Sequence, residues 1–157
     1  MFPWWEVLLR LGLATLLGGL IGWERETRRK PAGLRTLMLV SLSSCIYVVA
    51  AIVTARQHEE PIDAVRAVSG VAQGVGFIGA GVILQSRGEV RWLTTAASLW
   101  GAAGLGAAVG LGQYLIALAG GVLVYGTLRW AVLIESRMSC ANHDKSDSDN
   151  EEHEKKS

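Results

Sequence analysis

The sequence predicts an all-α membrane protein, a polytopic bundle of five transmembrane helices. Half of its 157 residues are hydrophobic and 18% are charged, whereas an average soluble domain has roughly 25% charged residues. The apolar residues form five long runs, and about 20 residues of helix are enough to cross a hydrocarbon core about 30 Å thick. The charged residues lie mainly between these runs and towards the carboxyl end, so the runs themselves carry few charges.

Each predicted helix is an apolar run that ends at charged or turn-forming residues. The first run is followed by the charged stretch WERETRRKPAGLR and the second by RQHEEPID. A short basic segment, SRGEVR, separates the third run from the fourth, and the uncharged LGQ separates the fourth from the fifth. In chain order we expect helices over residues 5–22, 34–55, 65–84, 93–110 and 113–134.

The loops predict the orientation of the bundle, because Lys and Arg accumulate in short cytoplasmic loops. The first and third loops are basic, whereas the second carries Arg56 against three acidic residues and the fourth is uncharged. We therefore expect the N-terminus outside and the C-terminus in the cytoplasm, with residues 1–137 forming the transmembrane domain. Residues 138–157 are polar and mixed in charge, so we expect them to form a disordered cytoplasmic tail.

The stretch GVGFIGAG, residues 74–81, fits the G-x-G-x-x-G spacing of a dinucleotide-binding loop. That loop needs a preceding strand and an acidic residue about 20 positions later, but no strand is predicted here and the next acidic residue is Glu89. We expect no cofactor and interpret the stretch as a helix-packing surface, because small residues let helices in lipid approach closely. The residues that share this face of the third helix are Gly70, Gln73, Gly74, Phe77, Ala80 and Gly81.

Small residues also line one face of two other predicted helices. They are Gly12, Thr15, Gly19 and Gly22 in the first helix and Gly106 and Gly110 in the fourth. These faces predict a bundle of close-packed helices. Gln73 is the one strongly polar side chain deep in a predicted span. It serves either an interhelical hydrogen bond or a contact with a substrate or ion.

The sequence gives little support for an enzyme, a nucleic-acid-binding protein or a metal-binding protein. The three histidines lie outside the predicted spans, and no span contains an acidic pair or an H-E-x-x-H motif, so a nucleophile there has no base. The net charge of +1 is too small for a protein that neutralises several phosphates. Cys45 and Cys140 lie far apart with no metal-ligand spacing. We expect no catalytic residue, no metal site and no nucleic-acid partner.

The cytoplasmic ends of the predicted helices carry a cluster of charges. Glu24 and Glu26 are expected to pair with Arg35 or Arg91. Such charge-assisted hydrogen bonds would tie the ends of three helices together. The basic residues 28–30 are expected to remain in water, where they attract anionic lipid.

Four motifs of this chain together resemble the MgtC/SapB family of bacterial inner-membrane proteins. The motifs are GGLIGWERE, AGLRT, VSGVAQGVGFIGAGVIL and VRWLTTAASLWGAAGLGAAVGLGQY, and they follow the family's order between Leu11 and Trp130. The positions that the resemblance marks as functional are Glu24, Arg25, Glu26, Gly33, Arg35 and Thr36, then Gln73, Gly76, Phe77, Gly79 and Gly81, then Arg91, Thr94, Thr95 and Trp100. The family typically reads V-R-G-L-T-T in the fourth motif, and this chain has Trp92 in place of that glycine.

The resemblance implies a bacterial inner-membrane protein that acts in magnesium limitation, virulence and stress, with effects on ion homeostasis, the ATP synthase and the membrane potential. We expect a non-enzymatic regulator whose partners are the lipid bilayer, other copies of itself and a larger membrane complex such as ATP synthase. The alternative is a small channel or transporter for magnesium or another cation. Its path would be lined by Gln73, Thr94, Thr95 and Ser98.

Overall fold

The computed structural model describes residues 3–58, 63–84 and 92–130, and nearly all of these residues are helical. The five helices are α1 (Trp4–Thr27), α2 (Leu34–Gln57), α3 (Ala64–Leu84), α4 (Leu93–Gly110) and α5 (Tyr114–Trp130). The prediction of an all-α bundle of five helices is confirmed. Arg91 and the predicted tail, residues 138–157, lie outside the described residues.

The helices have the length and composition of membrane spans. Within the described residues, α1 to α4 each contain an 18-residue window that is apolar enough to cross a bilayer. The described part of the fifth helix, Tyr114–Trp130, is also apolar. The described residues up to Tyr125 belong to one compact unit, and residues 126–130 belong to a second. The direction in which the helices cross a membrane stays a prediction.

Helix α1 is longer than the sequence predicts, and it ends in a defined cap. It continues through Thr27 rather than ending at residue 22, because the charged residues that follow are good helix formers. Arg29 N–H donates to Glu26 O at 2.9 Å, and Lys30 N–H donates to Arg25 O at 3.1 Å. These are the two hydrogen bonds of a Schellman cap, and Arg29 adopts the left-handed conformation that such a cap needs, with φ 51°.

Helix α4 lies at the centre of the bundle and packs against α1, α2 and α3. Helix α2 also packs against α1 and α3, whereas α1 and α3 make no contact in the described part of the chain. The core lies where α1, α2 and α4 meet, and its large buried side chains include Ile21, Leu37, Val48, Leu99 and Val109. The Ser41 hydroxyl in this core donates to Ala14 O at 2.7 Å, so a hydrogen bond also joins α1 to α2.

Glycines bring the backbones of these three helices together. A Cβ atom at Gly22 of α1 would lie 2.6 Å from the backbone of α2. A Cβ at Gly110 of α4 would lie 2.9 Å from a valine of α2, and one at Gly106 would overlap the backbone of Ser41. The predicted close packing is therefore found at these three glycines. A Cβ atom at Gly12, by contrast, would meet nothing within 4 Å.

Helix α3 is the least buried of the four long helices, and its packing reverses the prediction made for GVGFIGAG. Of its apolar window 11% is buried, against 56% for α4. The valine face turns inward, since Val75 is buried and Val71 packs against a buried cluster of α2 and α4. Branched side chains fill the space between helices and gain dispersion contacts there.

The glycine face of α3 turns outward instead. Gly79 lies on the opposite side of α3, where it is buried and a Cβ would lie 3.6 Å from Ala96 of α4. The α3 glycines at which a Cβ would meet nothing within 4 Å are Gly70, Gly74, Gly76 and Gly81. Among the described residues, the glycine face therefore does not form the packing surface that the sequence predicts.

Candidate functional site

The carboxyl end of α1 brings charged side chains into a cluster with the starts of α2 and α4. This helix-end cluster consists of Glu24, Arg25, Glu26, Gly33 and Thr95. Glu24 and Arg25 are each 4% exposed, and charged side chains are seldom buried so deeply unless they are paired. Each buried charge of the cluster therefore needs a hydrogen-bonding partner.

Arg25 links α1 to the first turn of α4. Its Nη2 donates a hydrogen bond to the Thr95 hydroxyl, which is also buried. Its Nε is buried and has no hydrogen-bond partner among the described residues. Because a guanidinium keeps its charge in proteins, Arg25 places a fixed positive charge between the two helices.

Glu24 pairs within its own helix. Arg28 Nε donates to Glu24 Oε1 one turn further along α1. The sequence instead predicts Arg35 or Arg91 as partners, and it places Arg28 in water. Arg35 and Thr36 are exposed, and Arg35 forms no ion pair within the described residues, so the predicted Arg35 pairing is wrong. An i, i+4 partner is always within reach on a helix, whereas Arg35 lies on the first turn of a different one.

Glu26 caps the beginning of α2. Leu34 N–H donates to Glu26 Oε2 at 3.0 Å, and a carboxylate is stabilised by the free N–H groups and the dipole at a helix N-terminus. A Cβ atom at Gly33 would overlap this carboxylate. The absence of a side chain at Gly33 therefore lets Glu26 reach the end of α2.

A second buried arginine makes a comparable link at the opposite end of α1. Arg10 is 6% exposed, and its Nη1 donates to Gly110 O at 2.6 Å. Its Nη2 donates to Glu6 Oε1 at 2.5 Å. Gly110 is the last residue of α4, so Arg10 supplies a donor to a carbonyl that has no partner within the helix. The Tyr114 ring lies 5.9 Å from Arg10 Cζ, within the range of a cation–π contact.

The spacing of the two arginines along α1 matches the spacing of their partners along α4. Arg10 and Arg25 are separated by the same number of residues as their respective partners Gly110 and Thr95, which corresponds to about 22 Å of helix. The hydrocarbon core of a bilayer is about 30 Å thick, so both guanidinium groups fit near its two borders. Helices α1 and α4 are therefore fastened to each other near both ends.

The residues predicted to line an ion path do not converge in the described part of the chain. Thr95 is buried under α1, and the Ser98 hydroxyl donates to Thr94 O of its own helix at 2.7 Å. Gln73 is exposed on the outward side of α3, and Trp100 is exposed on α4. Among the described residues, no three His, Cys, Asp or Glu side chains are grouped so that they could hold a metal ion.

The i, i+4 spacing of Glu6 and Arg10 predicts that they pair, and this pair is confirmed. The motifs do not mark Arg28, and the signal that can identify it is the same spacing from Glu24. No local pattern indicates that Arg10 also reaches Gly110, which lies 100 residues further along the chain.

These features define a polytopic helical membrane protein whose apolar helices are fastened by buried arginines. The chain belongs to the MgtC family, whose family model matches residues 11–137. It is 45% identical over 119 residues to Protein SapB of Bacillus subtilis strain 168, which covers 73% of this chain and 51% of that protein. It is 41% identical over 124 residues to Protein MgtC of Salmonella typhimurium strain 14028s, which covers 79% of this chain and 50% of that protein.

The match to Protein SrpB of Synechococcus elongatus covers a larger share of the relative's own length. The identity is 42% over 127 residues, covering 74% of this chain and 70% of that protein. The chain spans about half the length of the SapB and MgtC relatives. No solved structure matches the chain. The family resemblance that the four motifs indicate is thus confirmed.

Trp92 occupies a backbone position that favours glycine. It precedes α4 with φ 65° and ψ 20°, the left-handed region that glycine enters readily and a bulky residue does not. The resemblance to the family implies a glycine at this place. The structure therefore gives a physical reason for that glycine, and the tryptophan of this chain holds a strained conformation.

Proposed function

We propose that this protein is a non-enzymatic regulator in the bacterial inner membrane, which acts through contacts between its exposed helix faces and other membrane proteins. The regulated process is adaptation to limiting magnesium, with consequences for virulence and membrane energetics, as the family resemblance implies. Its partners are further copies of the chain and a larger membrane complex such as ATP synthase. The N-terminus lies outside and the C-terminus in the cytoplasm.

The observation that carries this proposal is the contrast between the interior and the outer surface of the bundle. Inside, Arg25 bonds to Thr95 and Ser41 bonds to Ala14 O, so polar groups join helices to each other. Outside, the Gln73 amide and the open glycines of α3 have no partner among the described residues. Polar groups that face outward in a membrane support a function in protein contacts.

The alternative, a cation pathway, requires oxygen ligands at successive depths along one route. Its predicted members are divided between the outer side of α3, where Gln73 lies, and the buried side of α4, where Thr95 and Ser98 lie. Because this arrangement provides no row of ligands among the described residues, it favours the regulator over the channel.

Ion flux into liposomes that contain the purified protein tests the proposal. Fluxes of magnesium, protons and potassium are compared with those of protein-free liposomes, after helix content and insertion have been verified. We expect no flux above the protein-free level from the wild type, because the bundle offers no polar route.

Three variants make the flux measurement decisive. Gln73→Leu and Ser98→Ala remove predicted path residues, and Ser43→Ala removes an exposed hydroxyl of α2 as a matched control. A flux that the wild type and Ser43→Ala carry, and that Ser98→Ala or Gln73→Leu abolishes, would contradict the proposal. The protein would then be a small channel or carrier.

A further inference from the structure

We propose that two copies of this chain pair through α3, with the Gln73 amides hydrogen-bonded to each other across a two-fold axis. This pairing rests on the proposed function and names one of the partners that the function requires. It follows from the exposure of Gln73, from the symmetry that a membrane imposes and from the side chains around it. The surface concerned is the outward face of α3.

Gln73 is a polar side chain at a depth where no water is available. It lies near the middle of Ala64–Leu84, its side chain is exposed, and it has no hydrogen-bond partner among the described residues. In hydrocarbon an amide without a partner is strongly unfavourable, because neither lipid tails nor water can bond to it. Another molecule that offers a hydrogen bond at mid-membrane depth is therefore required.

A second copy of the chain meets this requirement without any further protein. All copies insert in the same direction, so the α3 helices of two copies run parallel and Gln73 of each lies at the same depth. A glutamine amide both donates and accepts hydrogen bonds. Two such amides facing each other across a two-fold axis satisfy one another, which is the self-complementarity of an isologous contact.

The residues around Gln73 have the spacing of a helix-pairing seam. Gly70, Gln73, Phe77 and Ala80 recur three or four positions apart, as in parallel helices that pack knobs into holes, and Gly81 lies four positions after Phe77. Phe77 is 83% exposed, and the flanking glycines leave space into which an aromatic ring of the second copy fits. A polar residue at a single seam position also fixes the register of such a pair.

The described residues of the chain do not obstruct the approach of a second helix to this face. A Cβ at Gly70, Gly74 or Gly81 would meet nothing within 4 Å. Beside Gly70 and Gly74 runs a groove of about 750 Å³ between α2 and α3, with Tyr47 of α2 on its other side. Two backbones can therefore come close together, and close approach is the source of attraction between helices in lipid.

Energy transfer between labelled full-length chains in liposomes measures this association over a range of protein-to-lipid ratios. Gly74→Leu should weaken it about tenfold or more, and Gln73→Leu about three- to tenfold. Gln73→Asn should retain most of it, since the shorter amide still pairs. Gly104→Leu is the matched control, because Gly104 of α4 also has nothing within 4 Å but lies on another helix.

Disulfide cross-linking locates the contact independently of these substitutions. With Cys45 and Cys140 replaced by alanine, Ala80→Cys should give a covalent dimer under mild oxidation, because residue 80 lies in the seam. Leu20→Cys serves as the control, since Leu20 is exposed on α1, which makes no contact with α3 in the described part of the chain. We expect it to remain monomeric at the same protein-to-lipid ratio.

A chain that stays monomeric at every ratio would overturn the pairing, as would equal weakening by Gly74→Leu and Gly104→Leu. Cross-linking of Leu20→Cys as readily as Ala80→Cys would overturn it as well, because association would then not be confined to α3. The failure of the pairing is distinguishable from the failure of the proposed function. The first appears in the association measurements, and the second appears as ion flux.

Discussion

Two buried arginines of α1 contribute more to the fold than Arg66, an exposed arginine of α3, does. Arg10 and Arg25 are buried and each bonds to α4, whereas Arg66 is 88% exposed and pairs with Asp63 at 3.1 Å. An exposed ion pair contributes about 0–1 kcal/mol, while a hydrogen bond that involves a charged group contributes about 1.5–3 kcal/mol. The two buried arginines therefore stabilise the packing of α1 against α4 more than an exposed pair such as Arg66–Asp63 stabilises the fold.

Replacement of Trp92 tests the left-handed conformation at the start of α4. Trp92→Gly and Trp92→Ala both remove the indole, but only glycine adopts φ 65° without strain. We expect the glycine variant to be more stable than the alanine variant by about 1 kcal/mol. The measurement is the free energy of unfolding of both variants in the same detergent micelles.

The predicted order of the two variants is the opposite of that in a helix interior, where alanine is more stable than glycine by about 0.5–1 kcal/mol. The comparison is independent of the lost indole, because neither variant has one. An alanine variant at least as stable as the glycine variant would show that residue 92 is not held in the left-handed region.

At the scale of the helices, glycines determine which backbones approach closely. Gly106 and Gly104 both lie in α4, but Gly106 faces the backbone of Ser41 and Gly104 has no neighbour within 4 Å. We expect Gly106→Ala to destabilise the protein by about 1–3 kcal/mol, because its new methyl group must displace α2. We expect Gly104→Ala to be neutral or to stabilise by up to about 1 kcal/mol, since alanine favours a helix.

Thermal unfolding in detergent, followed by circular dichroism, compares these two variants directly. They have the same chemical change in the same helix, so the difference between them reports the contact with α2. Equal stability of Gly106→Ala and Gly104→Ala would contradict the close approach of α2 and α4.

The helices themselves could be predicted, because a span requires a run of apolar residues that is visible locally. The end of α1 at Thr27 could not, because hydropathy marks only the apolar part and the following charged residues continue the helix. The two faces of α3 were separable by their periodicity. Which face turns inward depends on shape, since Val71 fits against the buried cluster that includes Val48 and Ile52.

At the scale of the whole molecule, the motifs identified the helix-end cluster, but its predicted pairing with Arg35 is wrong, and the pairing with Arg91 stays a prediction. Glu24, Arg25 and Glu26 lie together as predicted, and Arg25 makes a contact with α4 that the motifs do not indicate. The predicted partner Arg35 is exposed, because the rotation of α2 about its own axis is set by packing that no local pattern shows. The contact of Arg10 with α4 bridges 100 residues, so it depends on the complete fold.

Hydrogen bonds link groups inside the bundle, whereas the Gln73 amide on the outer face of α3 has no partner among the described residues. Interior hydroxyls form hydrogen bonds inside the bundle: that of Ser98 donates to its own helix, and that of Ser41 joins α2 to α1. The outer face of α3 offers the Gln73 amide and unobstructed backbone at Gly74. We therefore attribute the function of the protein to this outer face.

Growth at limiting magnesium tests most directly whether the function resides on the outer face or in the interior. A bacterial strain that lacks its own member of the family receives wild type, Gly74→Leu, Gly104→Leu or Ser98→Ala, expressed at equal levels. We predict that Gly74→Leu fails to restore growth and that Gly104→Leu and Ser98→Ala restore it, because only the first obstructs the face of α3. Restored growth with Gly74→Leu together with lost growth with Ser98→Ala would contradict this and would place the function in a path through the interior.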